Sequence, residues 1–150
     1  MVVADLALRR DLARVIRRCR PELVICQSPV RILERIFASH PDHLAAGEAT
    51  LCAVYPDARN PRAFPELLEE GHAPHTVPQV WLMAHPEPDL VVDVTETFAD
   101  KMAALRAHTS QTGHRSELDE MVSGWLAANA ESAGFDRGRL AEAFKVVPTA

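Results

Sequence analysis

Apolar residues recur at helical spacing at the start of the chain. Leu8, Leu12, Val15, Ile16 and Cys19 fall on one side and arginines fill the other, which predicts an amphipathic helix over Leu6–Arg18. Pro21 breaks that pattern. Leu23, Val24, Ile25 and Cys26 follow as an unbroken apolar run, which suits a short strand buried on both faces, as in a parallel sheet. Ile32, Leu33, Ile36 and Phe37 return to helical spacing and allow a short helix. His40-Pro41-Asp42-His43 then opens a run that predicts a helix to about Tyr55. Pro41 is tolerated in its first turn, and Ser39 or Asp42 can cap it.

Residues 56–78 hold Pro56, Pro61, Pro65, Pro74 and Pro78. They predict a long loop, with one helical turn at Glu66–Glu70, and loops of that length often lie over a site. Strands are expected at Val80–Met83 and Leu90–Val94, and helices at Thr95–His108 and Glu117–Ala130. Trp81 and Trp125 sit within apolar patterns and are expected in the core. The order helix, strand, helix, strand, strand, helix, helix predicts an α/β fold.

Composition narrows the function classes. The chain has 150 residues, 47% hydrophobic and 25% charged, which is ordinary for one globular domain able to bury a core. No apolar run is long enough for a transmembrane helix, so no membrane partner is expected. The start, MVVADLALRR, places its apolar stretch before its arginines, the reverse of an export signal, so a cytoplasmic location is expected. Cys19, Cys26 and Cys52 form no CxxC and are expected as small buried hydrophobes, not as a disulfide framework or a zinc site. The net charge of −5 argues against a dedicated nucleic-acid binder. Arg9, Arg10, Arg14, Arg17, Arg18 and Arg20 could grip phosphate, but no aromatics are interleaved, and a solvated helix face is the expectation.

The HPDH tetrad carries the most chemistry. Its histidines, at i and i+3, project to one side of a helix, with a carboxylate between them. Neutral imidazole is a common zinc ligand, and a nearby carboxylate can fix its tautomer. The tetrad follows a strand and opens a helix, where α/β folds place ligand sites and where a developing oxyanion is favoured. That position suits metal-assisted hydrolysis, whereas the plainer alternative is a solvated turn that caps a helix. His72 and His75 repeat the spacing within a turn, and Ser39 is a weak nucleophile candidate.

Several stretches together resemble the PIG-L/LmbE-like family of zinc-dependent de-N-acetylases. These are Leu6–Arg18 with Arg20-Pro21-Glu22-Leu23-Val24-Ile25, then Ser39-His40-Pro41-Asp42-His43-Leu44-Ala45-Ala46-Gly47. The loop Tyr55-Pro56-Asp57-Ala58-Arg59-Asn60-Pro61 and the late segment from Val92-Asp93-Val94-Thr95 through Lys101 and Ala104–His108 to Ser110-Gln111 extend the resemblance over essentially the whole chain. The family's upstream AHPDD signature, which supplies two zinc ligands and the general base, has no counterpart here. The resemblance therefore implies a single partial domain over residues 1–150. It would be the C-terminal part of a Rossmann-like three-layer fold with a mostly parallel sheet, its N-terminal strands missing.

By the same resemblance His43 would be the third zinc ligand. His40 would stabilise the tetrahedral intermediate or protonate the leaving amine, and Asp42 would orient His40. His108 and Gln111 would lie near the pocket. The implied substrate is a small N-acetylated compound of the N-acetylglucosamine type. One subunit of a split enzyme, completed by a separate N-terminal half, and a non-catalytic binding module are the alternatives. The apolar, uncharged run at Leu23–Cys26 is expected to drive self-association or pairing with that half, or else to leave the chain poorly folded.

Overall fold

A computed structural model describes residues 1–150. Helix α1 (Leu6–Cys19) begins at Asp5, whose carboxylate accepts from the Leu8 amide at 2.8 Å, and ends at Arg20 in the left-handed region. Strand β1 (Leu23–Gln27) follows, then a six-residue 3-10 segment at Leu33–Ala38. Helix α2 (Pro41–Cys52) gives way to a wide turn at Ala53–Asp57, and the proline-rich stretch holds only the single turn α3 (Glu66–Glu69). Strands β2 (Gln79–Met83) and β3 (Leu90–Asp93) lead to helices α4 (Phe98–Ala107), α5 (Thr109–Thr112) and α6 (Leu118–Ser132). Strand β4 (Ala141–Pro148) ends the order.

The four strands form one sheet in the order β1-β2-β4-β3. β1 pairs in parallel with β2, Leu23 opposite Gln79 and Gln27 opposite Met83. β2 pairs antiparallel with β4, Gln79 opposite Pro148 and Met83 opposite Phe144. The sheet is thus mixed, which corrects the expectation of a mostly parallel one. The missed element is β4. Phe144, Val146 and Val147 give it only a weak alternation around Lys145, and its place in the sheet comes from pairing with a strand some sixty residues earlier.

The chain divides into two compact units, Met1–Asp89 with Phe144–Ala150, and Leu90–Ala143. The first buries Ala13, Ile16, Cys26, Val54, Leu67, Val77, Val80 and Leu82 around the β1–β2 pair. The second packs α4 on α6 through Met102, Leu118, Val122 and Leu126.

Burial departs from the sequence expectation at several places, among them Val15, which is exposed, and Trp81, which is half-buried. Ile25 is 49% exposed, because β1 lies at the end of the sheet and only one of its faces meets the core. Trp125 is 60% exposed: α6 turns Leu118, Val122, Leu126 and Ala130 inward and leaves the indole outside. Only Cys26 among the three cysteines is buried, and burial pushes its thiol up to about 11. Arg17 is 2% exposed and so leaves the solvated face, since it shares a side of α1 with Ala13 and Ile16.

Candidate active site

The HPDH tetrad forms the first turn of α2. His40 is the N-cap itself, in place of the expected Ser39 or Asp42: its Nδ1 accepts from the Asp42 amide at 3.2 Å. Ser39 is buried and spent on structure, its Oγ accepting from the Ile32 amide at 2.7 Å. Pro41 occupies the first helical turn, where its missing N–H costs nothing.

The rings of His40 and His43 lie 5.5 Å apart between centroids, tilted by 51°. Both are exposed. Because His40 Nδ1 accepts a hydrogen bond, the neutral ring carries its proton on Nε2, which makes that N–H a donor. The Asp42 carboxylate accepts from the Val2 amide at 3.0 Å, and this bond holds it below the usual carboxylate range.

Gly47 fixes where this turn lies. A Cβ built on it would stand 2.3 Å from the Gln27 carbonyl oxygen and 3.0 Å from the Pro29 nitrogen. Only glycine lets α2 press this closely on the carboxyl end of β1. His43 lies one helical turn before Gly47, on the same side of the helix. The first turn of α2, which carries both histidines, thus lies one to two helical turns from this contact with the end of β1.

The arginines of α1 hold the next loop, a role that sequence reading missed. Arg17 donates to the carbonyls of Ala58, Asp57, Asn60 and Ala63 at 2.9–3.1 Å. Arg9 makes a two-pronged ion pair with the buried Asp57 carboxylate, both bonds 2.9 Å. The available signal was the spacing of Arg9, Ala13 and Arg17, which puts two arginines on the apolar side of the helix. The guanidinium of Arg59, in the same loop, lies 5.3 Å from the centre of the Tyr55 ring and donates to the Thr149 carbonyl at 2.7 Å.

No three His, Cys, Asp or Glu side chains of the chain converge to hold a metal ion. A catalytic zinc needs three protein ligands, and here His43 has beside it a histidine whose Nδ1 caps the helix and an aspartate held by a backbone amide. The donor set within these residues does not fit a zinc site by itself. His72 and His75 are also separately engaged, His72 lying 3.9 Å from Glu70 and His75 Nε2 2.8 Å from the Pro21 carbonyl. His108 and Gln111 lie in the second unit, His108 between α4 and α5 and Gln111 within α5. A cavity of about 450 Å³ is lined by Leu51, Cys52, Tyr55 and the β4 end from Val147 to Ala150, beyond the other end of α2 from His40.

No protein-family model matches the chain. Over 142 residues it is 30% identical to the diacetylchitobiose deacetylase of Thermococcus kodakarensis, which aligns with 94% of this chain. The chain is similar to diacetylchitobiose deacetylase. It spans about half the length of that relative, 51%. Solved structures agree on the fold. The N,N'-diacetylchitobiose deacetylase of Pyrococcus horikoshii superposes with a TM-score of 0.82 at 24% identity, over 97% of this chain and 52% of that one. A conserved protein of Thermus thermophilus gives 0.70 at 22%, over 99% and 62%. GalB of Pseudomonas putida, a 4-carboxy-2-hydroxymuconate hydratase, gives 0.69 at 21%, over 97% and 60%. One fold thus carries a deacetylase and a hydratase, so the reaction must be argued from the site.

Proposed function

We propose that the chain is the part of a de-N-acetylase domain that carries the HPDH half of the site, acting on a small N-acetylated amino sugar. The sequence similarity to diacetylchitobiose deacetylase supports the reaction class. The observation that carries the reading is the arrangement of His40 and His43 on the first turn of α2, 5.5 Å apart, on the helix that Gly47 seats against the end of β1.

In this reading His40 presents Nε2–H to the oxygen that gains charge as the amide carbonyl is attacked, and the proton that the general base takes from the attacking water passes to the leaving amine. The N-terminal end of α2 adds its partial positive charge at the same place. Asp42 sets the charge next to His40, and its backbone amide sets the ring orientation. His43 would hold a zinc ion only together with donors from a segment corresponding to the rest of the relatives' length, which would also bring the general base; a zinc ion held there would polarise the amide carbonyl. The open edge of β1, with exposed Ile25, is where that segment would pair.

The experiment is reconstitution. The chain is mixed with a polypeptide corresponding to the part of the Thermococcus kodakarensis relative that it does not span, and free acetate is measured with N,N'-diacetylchitobiose as substrate. Acetate released only by the mixture supports the proposal. A stable complex that releases none overturns it.

A further inference from the structure

Helix α6 carries an exposed apolar edge beside its buried face. Met121, half-buried at the border of the core, and the exposed Trp125 and Ala128 recur at i, i+4 and i+7, and the Trp125 indole is 60% exposed. Gly124 beside it opens on empty space, with nothing within 4 Å of a Cβ built there. A large aromatic thus stands next to a notch formed by Gly124 and Ala128. A projection and a recess on one face are the ingredients of a self-complementary contact, and tryptophan is a frequent anchor of such contacts.

We propose that this face of α6 docks a second copy of the chain, α6 against α6 in antiparallel orientation about a two-fold axis near Gly124 and Trp125. Each indole then fills the other copy's notch. The charges at the two ends of the helix select this occupant and this orientation. Arg115 lies beside Met121, with Nη1 3.9 Å from its sulfur. In the antiparallel pair that level faces Ala128–Glu131 of the second copy and brings Arg115 to Glu131. Arg137 borders a hollow with Ala127, Ala130 and Glu131. Their level faces the turn at Leu118–Val122 of the second copy, which brings Arg137 to Glu120.

None of these four charges has an ion-pair partner within its own chain, whereas Asp119 is held by Arg106 and Asp93 by Arg139. The two-fold axis repeats both pairs, giving four. A parallel arrangement would instead set Glu120 near Glu120 and Arg115 near Arg115. The contact is small, so the dimer is weak and reversible, in the micromolar range. It is independent of the proposed active site.

Sedimentation equilibrium of the whole chain from micromolar to sub-millimolar concentration tests the proposal. The expected mass rises from 16.5 kDa toward twice that value. In a Trp81→Phe background the emission of Trp125 shifts to the blue over the same range. Trp125→Lys, a change at an exposed position, removes the dimer. Arg115→Glu weakens it about tenfold, and adding Glu131→Arg restores it. If Trp125→Lys fails to fold, the charge swap decides. A mass fixed at 16.5 kDa at every concentration overturns the proposal. So does a dimer that Trp125→Lys leaves intact, which would place the contact elsewhere, such as the β1 edge.

Discussion

Gly47 meets the carbonyl oxygen of Gln27 so closely that a Cβ on the glycine would lie 2.3 Å from it. This contact ties α2 to the end of β1 and sets the position of His40 and His43. Gly47→Ala gains helix propensity of about 1 kcal/mol. It must also push backbone away from backbone, and overpacking of this kind costs about 1–3 kcal/mol. A net loss is expected, read as a lower urea midpoint and shifted imidazole resonances of both histidines. An unchanged midpoint with unchanged resonances would show that α2 is not seated on β1 in this way.

Arg17 is a second point of leverage. Its guanidinium is buried, burial lowers its pKa, and it donates to four loop carbonyls. The carbonyls of Ala58 and Asn60 also accept from the His75 and Ala63 amides, so Arg17→Met takes the side-chain donor chiefly from those of Asp57 and Ala63, and a loss of about 3 kcal/mol is expected. Arg18→Ala, one residue on and exposed, should stay within about 0.5 kcal/mol. Denaturant unfolding of both variants makes the comparison. Equal effects would place Arg17 in solvent.

Acid should destabilise the fold through identified carboxylates. Lys145 and the Val146 amide hold Asp89 below its ordinary value of 3.8, hydrogen bonds from Thr95 and the pairing with Arg139 do the same for Asp93, and Arg14 lowers Glu70 from 4.5. Each of these groups has a lower pKa folded than unfolded. Their stabilisation is present above about pH 4.5 and is lost as pH falls through the depressed folded values. The urea midpoint is expected to be flat from about pH 7 to 5 and to fall below about pH 4. Asp89→Asn should flatten that fall. A fall of equal steepness in the variant would exclude Asp89 as a contributor.

Zinc should bind this chain weakly when it is alone. His43 offers one ligand, and no third donor converges with His40 and His43. Equilibrium dialysis is expected to show no tight stoichiometric site. Tight binding that survives His43→Ala would move attention to His72 and His75.

Most of the fold was legible because its elements are local. The α1 stripe, the apolar run of β1, Pro41 at a helix start and the single turn at Glu66–Glu69 each followed from spacing and breaker residues. What escaped depends on long-range contacts. β4 is defined by its pairing with β2, and Phe144 finds Trp81 at 5.4 Å between rings across that pair. Arg17 looked like solvent-facing charge because its partners are backbone carbonyls about forty residues away, which carry no sequence signature. The HPDH histidines stand out in the sequence because their spacing puts both on one side of a helix. That His40 caps its own helix was missed, since capping is usually read from short polar side chains.

The central claim is that this chain contributes the histidine half of a de-N-acetylase site. The most direct measurement is acetate release from N,N'-diacetylchitobiose by the reconstituted pair, with His43→Ala and His40→Ala beside the unaltered chain and His72→Ala as a control. The account predicts turnover in the unaltered pair and in His72→Ala. It predicts loss by His43→Ala, and a fall in kcat of about a hundredfold or more by His40→Ala with KM little changed. Full activity in the His43→Ala or His40→Ala pair would contradict it.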